Sequence, residues 1–176
     1  MNAFWIILAA GTVFFLIGTW TVSVRDKRYH GYPRFFAFES VLILVLLNAN
    51  VWFRNPWSLR QIFSWLFLLA AIIVVAAGFG ALRKHGKPEG NFENTTRLVN
   101  VGIYKFIRHP MYASLVFLGV GVFLKRVRLI TALVLTIDLV ACWITALMDE
   151  REMKARFGDE YAAYMKTTKR FIPFIV

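Results

Sequence analysis

Cysteine is almost absent from this chain of 176 residues, and the one present, Cys142, lies inside an apolar run. No disulfide can form within the chain, and no zinc site can be built on Cys/His spacing. No metal is expected, and Cys142 is read as a small buried hydrophobe. Acidic residues are scarce as well, ten against twenty-one Lys and Arg. The resulting net charge of +11 does not fall on a polar domain with spaced aromatics, so nucleic acid is not expected as a partner. Anionic lipid headgroups account for the excess better. A glycine-rich phosphate loop is missing too. Gly78-Phe79-Gly80 falls inside an apolar run and reads as close helix packing. The first apolar run has no basic residue before it and no small-residue cleavage site behind it, which makes it a retained helix rather than a signal peptide.

What is abundant is apolar surface. Hydrophobic residues make up 59% of the chain, with seventeen Phe and six Trp, where soluble domains hold roughly 45–50% apolar residues. A core of this size cannot hide them, so a membrane protein is expected. Asn2–Val24, Phe35–Phe53, Ile62–Leu82 and Leu129–Met148 are long apolar runs, and Met111–Leu124 is a shorter one. A spanning helix needs roughly 20 residues. The expectation is an all-α polytopic membrane protein of about five transmembrane helices, the last two forming a helical hairpin, followed by an amphipathic tail from Asp149 to Val176. Phe171-Ile172-Pro173-Phe174 is expected to dock back on the surface. The chain reads as one membrane domain, 1–176, with three N-terminal spans in 1–82. The polar connection opens near Glu89-Gly90-Asn91, a group with turn character.

Lys and Arg distribution sets the expected orientation. With the N-terminus outside, sixteen of them fall in cytoplasmic segments and five outside, namely Arg54, Arg60, Lys125, Arg126 and Arg128. Lys125 to Arg128 fits poorly, and a hairpin that does not fully cross removes the conflict. Glu39 and Asp138 fall within spans. They are candidates for receiving a cationic or amine substrate, or for an interhelical hydrogen bond.

Two polar clusters flank the hairpin. In the first, Arg108-His109-Pro110-Met111-Tyr112, Pro110 suits the first turn of a helix and His109 its N-cap, where backbone N–H groups and the positive end of the dipole meet. Arg108 adds a fixed charge, and Tyr104 and Tyr112 add aromatic faces. Such a place suits an anionic group beside a flat ring, and equally a basic surface loop with interfacial tyrosines. In the second cluster, Thr145, Asp149 and Glu152 share a helical face, with Glu150 turned away. These carboxylates could face the first cluster or pair with Arg151, Lys154 or Arg156 at helical spacing.

The segment Gly102-Ile103-Tyr104-Lys105-Phe106-Ile107-Arg108-His109-Pro110-Met111-Tyr112 resembles the Arg-His-Pro-x-Tyr signature of the isoprenylcysteine carboxyl methyltransferases and their phospholipid methyltransferase relatives. Asp149-Glu150 stands where that family has a Glu-Glu pair. Met153, Phe157-Gly158, Tyr161, Tyr164, Arg170 and Pro173 follow at similar spacing. The likeness covers roughly Leu98 to Phe174 and implies a membrane-embedded methyltransferase using S-adenosylmethionine. It makes 83–176 the cofactor-binding half. Cofactor contacts carry over onto Thr96, Arg97, Leu98, Val99, Tyr104, His109, Pro110, Met111, Tyr112 and Asp149, and catalytic roles onto Arg108 and Glu150. The cofactor's carboxylate suits the His109 helix start. Its ammonium, sulfonium and ribose suit Asp149 and Glu150, and its adenine suits apolar and aromatic walls. Methyl transfer to an activated donor needs positioning and dehydration more than acid–base help. A lipidic or small carboxylate, amine or thiol acceptor is implied, with membrane lipids as surroundings. The substrate position, four residues before the acidic pair, holds Arg in the prenylcysteine enzymes and Thr145 here. A prenylcysteine carboxylate is therefore not the expected acceptor. A nicotinamide-dependent reductase of the sterol reductase type and a non-enzymatic membrane scaffold are the alternatives.

Overall fold

The computed structural model describes residues 3–89 and 94–175. Asn2, Gly90, Asn91 and Val176, assigned above to the first span, a turn and the tail, lie outside the described residues. Five helices follow in order: α1 (Ala3–Val22), α2 (Gly31–Asn48), α3 (Leu59–His85), α4 (Pro110–Phe123) and α5 (Leu129–Thr167). No strand forms among the described residues. Four of the helices are long and apolar enough to cross a bilayer. The protein is an all-α, polytopic integral membrane protein.

Helix ends follow local chemistry. Pro33 sits in the first turn of α2, where a missing N–H costs nothing, so the helix starts at Gly31 rather than Phe35. The Ser58 side chain caps α3 by accepting from the Gln61 N–H. Arg83, Lys84 and His85 lie inside the last turn of α3, where basic groups complement the helix dipole. The helix therefore runs past Leu82. Helix α4 has 14 residues and reaches about 21 Å, short of the hydrocarbon thickness of roughly 30 Å.

That shortness resolves the misfit at Lys125. It is fully buried, not a surface charge of the turn. Its ammonium donates to Gln61 Oε1 at 3.1 Å and lies 3.5 Å from the Trp65 ring centroid. An amide oxygen and an aromatic face replace the water it gives up. Glu39 and Asp138 also find local contacts. Thr12 Oγ1 donates to Glu39 Oε1 at 2.7 Å, linking α1 to α2. The Cys142 thiol lies 3.7 Å from Asp138 Oδ1, one turn away on α5.

The tail differs most from expectation. It does not leave the membrane as a separate segment. Helix α5 continues for 39 residues to Thr167. Residues 149–157 hold no Gly or Pro and are rich in strong helix formers, so nothing ends the helix where its apolar stretch closes at Met148. The first break is a kink at Gly158, with φ 54° and ψ −128°, a conformation essentially reserved for glycine.

Helix α3 packs chiefly on α4, α2 on α5, and α1 on α2. A Cβ on Gly78 would lie 3.0 Å from the Pro110 ring, so this glycine sets the approach of α3 to the start of α4. Gly80 has open space around it and plays no such part. One core gathers Ala37, Ala113, Ala141, Cys142 and Ala146 with Tyr112 and Phe171. A second joins Leu44, Leu68, Val122 and Val134.

Gly158→Ala meets no steric obstacle, so its cost is backbone strain alone, about 1–3 kcal/mol. The thermal unfolding midpoint in detergent is expected to drop by several degrees, while Gly80→Ala leaves it unchanged or slightly higher. Equal midpoints for both variants would show that the kink is not required.

Candidate functional site

The segment before α4 and the segment after α5 meet as a short parallel pairing. Lys169 N–H donates to Phe106 O at 3.1 Å, Arg108 N–H to Lys169 O at 2.7 Å, and His109 N–H to Arg170 O at 3.0 Å. The His109 amide, which the sequence pattern leaves as a free donor, is thus taken by the returning tail. Phe171 then buries itself 6.2 Å from the His109 ring and 5.9 Å from Trp143. Phe174 remains 85% exposed, so only the first aromatic of the expected docking segment is buried.

Asp149 and Glu150 are adjacent on α5, yet each approaches a different nitrogen of one imidazole. His109 Nδ1 lies 3.4 Å from Asp149 Oδ2, and Nε2 lies 3.4 Å from Glu150 Oε1. The Nε2 contact lacks hydrogen-bond alignment, leaving that buried atom without a hydrogen-bond partner. Tyr112 stacks on the same ring at 5.5 Å.

Glu150 is held from two sides. Arg108 Nε and Nη2 donate to its Oε1 at 3.1 and 3.0 Å. Arg170 Nε and Nη2 donate to Oε1 and Oε2 at 3.0 and 3.1 Å. Arg108 Nη1 also reaches the carbonyls of Met165 and Thr168. One buried carboxylate therefore ties α5, the start of α4 and the tail together.

Electrostatics follow from these contacts. Burial alone would push His109 down, but Asp149 and Glu150 outweigh it and raise its pKa. Burial opposes ionisation of Asp149, yet His109, His30 and Arg28 hold its pKa below the ordinary carboxylate value. Burial likewise opposes ionisation of Glu150, and His109, Arg170 and Arg108 hold it at about 2. Burial raises the pKa of the Tyr104, Tyr161 and Tyr164 hydroxyls and keeps them protonated. The Tyr164 hydroxyl donates to Tyr104 O at 2.6 Å.

Beside this cluster lies a cavity of about 410 Å³. Leu98, Val99, Tyr104, Arg108, His109, Pro110, Met111, Tyr112 and Asp149 line it, all named from the sequence pattern. Thr96 and Arg97 do not, being exposed. Their amides both donate to Gly86 O, and this turn directs Thr95 inward instead. Glu150 and Thr145 lie outside the lining. Thr145 is buried, with its hydroxyl donating to Ala141 O at 2.6 Å. Glu39 and Asp138 are likewise not among the lining residues.

The cavity also uses the N-terminal half. Phe14, Phe15 and Thr19 of α1, Arg28 and His30 of the first loop, and Arg34 and Phe38 of α2 complete its wall. These residues were not picked out from the sequence. A signal was present: His30, Arg34 and Phe38 recur every four residues and share one helical face. Met153, Phe157, Tyr161 and Tyr164 on α5 form the roof. His30 Nδ1 lies 2.9 Å from Glu152 Oε1, and one ligand atom from each of His30, Asp149 and Glu152 falls within 4.8 Å of the others. That triad has the spacing a cation could bridge. The neighbouring guanidinium of Arg28 works against a dication there.

The fold and this cavity define a polytopic helical membrane protein with a largely apolar cavity that carries a charged end, where α4 begins and α5 continues past its apolar stretch. The chain belongs to the phospholipid methyltransferase family, whose sequence profile matches residues 59–160, more than half of its length. No curated protein sequence matches it.

The His109 cluster sets a pH window. His109, with a raised pKa, contributes stability that is complete below its ordinary 6.5 and is lost as pH climbs through the raised value. Glu150 contributes stability that is complete above its ordinary 4.5 and is lost as pH falls towards about 2. The thermal midpoint in detergent is expected to peak between these two ordinary values and decline on both sides. In His109→Gln the alkaline decline should flatten. The same alkaline slope in both proteins would remove His109 as its source.

Proposed function

We propose that the protein is an S-adenosylmethionine-dependent methyltransferase that holds its cofactor between the start of α4, Asp149 and the aromatic roof of α5. The observation that carries this reading is the cavity itself. Its volume lies in the range of small-molecule sites, roughly 300–1,000 Å³, and it joins a charged end to aromatic and apolar walls. The residues suit the group. His109, buried on the cavity wall and held towards its protonated form, supplies positive charge for a carboxylate. Asp149, with a 22% exposed side chain on the cavity, can accept from an ammonium or a ribose hydroxyl. Tyr104, Tyr161 and Phe157 offer faces for a flat base.

S-adenosylmethionine, when bound, supplies a methyl group already activated on a sulfonium. The chain's own task is then to bind, orient and exclude water. Asp149 points into the cavity, whereas Glu150, 6% exposed and clamped by Arg108 and Arg170, acts as a positioning residue. Arg108 closes the same clamp while lining the cavity. The roof tyrosines, held protonated, bring hydroxyls without added charge. We place the N-terminus outside and the site and C-terminus on the cytoplasmic side. Lys and Arg distribution supports this, and burial of Lys125 removes one charge from the opposing count.

Equilibrium binding of radiolabelled S-adenosylmethionine to the purified protein in detergent tests the reading. Saturable binding is expected, and Asp149→Ala and His109→Ala should each weaken it at least tenfold, the loss of about one charge-assisted contact. Wild-type protein that binds no S-adenosylmethionine but takes a reduced nicotinamide nucleotide would replace this reading with a reductase. Binding of neither would point to a scaffold.

A further inference from the structure

We infer that the returning tail is a membrane anchor: Phe106 and the turn Ile172–Ile175 insert at the headgroup boundary of an anionic leaflet and so hold the clamp around His109 in place. The anchor concerns a surface and its partner, and it is independent of the cofactor and the methyl acceptor. Ile172, Phe174 and Ile175 are large apolar side chains left exposed after Phe171 is buried. They sit on a formed turn, in which the Ile175 N–H donates to Ile172 O at 3.2 Å. Phe106 is exposed beside them, where its carbonyl accepts from the Lys169 N–H. A contiguous apolar patch of this kind marks an interaction surface.

Depth selects lipid as the partner. The tail runs back along α5 instead of out into water. The Arg170 guanidinium lies 4.9 Å from the Trp143 ring centroid, and the Phe171 ring lies 5.9 Å from it. Trp143 precedes Met148, where the apolar stretch of α5 closes, by a distance of about 7.5 Å along the helix axis. Interfacial segments bury their apolar side chains to a similar depth, roughly 5–10 Å. Val140, Trp143 and Ile144 share one face of α5 and are exposed there, so the patch continues a surface that the bilayer already covers. Charge selects an anionic leaflet. Lys105, Lys166 and Lys169 are exposed around the patch and, among the described residues, form no ion pair. The nearest acids along the tail, Asp159 and Glu160, lie back at the Gly158 kink. Position couples the anchor to the site. Lys169 and Arg170 pair with Phe106, Arg108 and His109, and Arg170 clamps Glu150, directly before the turn begins. Insertion of 172–175 therefore opposes withdrawal of the tail from His109.

A nitroxide spin label on Ile175→Cys of the full chain, reconstituted in phosphatidylcholine vesicles with or without phosphatidylglycerol, tests the anchor. Native Cys142 is buried, and the unsubstituted chain serves as the labelling blank. Spin relaxation reports collisions with oxygen, which concentrates in lipid, and with an uncharged nickel chelate, which stays in water. With phosphatidylglycerol present, the label should meet oxygen in preference to the chelate, as a label on Leu133→Cys of the lipid-facing α5 should and one on Glu160→Cys should not. Phe174→Ser should move the Ile175 label towards the Glu160 pattern and speed hydrogen exchange at the His109 amide several-fold. Lys166→Gln and Lys169→Gln should each weaken insertion about fivefold at low salt. A label that meets the chelate as freely as the Glu160 label does would overturn the proposal. So would shielding from both reagents that grows with the protein-to-lipid ratio, which would make the patch an interface between copies. Equal insertion with and without phosphatidylglycerol would remove the anionic leaflet as partner. Unchanged His109 exchange in Phe174→Ser would refute the hold on the clamp.

Discussion

The site depends on a buried carboxylate. Glu150 sits at the point where a membrane helix leaves its apolar surroundings, and it is matched by two guanidinium groups from segments far apart in the chain. Removing any one partner leaves charge in a place with little water, which makes the arrangement close to all-or-none. Around this clamp the start of α4, the middle of α5 and the returning tail acquire fixed relative positions. His109 is held by the same construction, with carboxylates near both nitrogens, a tyrosine stacked on one face and Phe171 close by. A histidine at a helix start is ordinarily mobile and half-solvated. Here it is 4% exposed.

The clamp also explains a division of labour between two neighbouring acids. Asp149 and Glu150 differ by one residue and roughly 100° of helical rotation. That rotation sends Glu150 into the arginines and leaves Asp149 on the cavity wall. Burial works against ionisation in both, and specific partners reverse it in both. Only one remains placed to meet a ligand. The long, unbroken α5 makes this possible, because it carries the acid pair rigidly out of the apolar layer before Gly158 turns the chain back over the cavity.

Several features were legible in the residues themselves. The run lengths of apolar residues marked four long helices and a short one. Pro110 marked the start of α4, and the Arg108–Tyr112 and Asp149–Glu150 clusters marked the two sides that meet. Gly78 was recognisable as a packing glycine. Periodicity carries this information because a helix repeats every 3.6 residues whatever surrounds it. Less legible was the exit of α5. A change from apolar to charged composition resembles the end of a helix, whereas helix propensity continues through residues 149–157 unaltered. The inward side chain at Thr95 was not legible either, because a turn closing on Gly86 O decides which side chain of residues 95–97 lines the cavity.

Sequence alone determined the class of fold, the membrane setting and the chemistry available at the two clusters, since each follows from composition and local spacing. Tertiary structure decided which of those groups do what. Lys125 became a buried cation in an aromatic and amide setting because α4 is too short to carry it to a surface. Arg34 and Phe38, ordinary residues of a second span, became part of the cavity because α2 packs between α1 and α5. Thr145 was withdrawn from the cavity by its hydrogen bond to the preceding turn and its burial in the helix interface. Contacts of this kind join residues separated by more than a hundred positions, as His30 and Glu152 are. No local pattern encodes them, because only packing sets which faces meet.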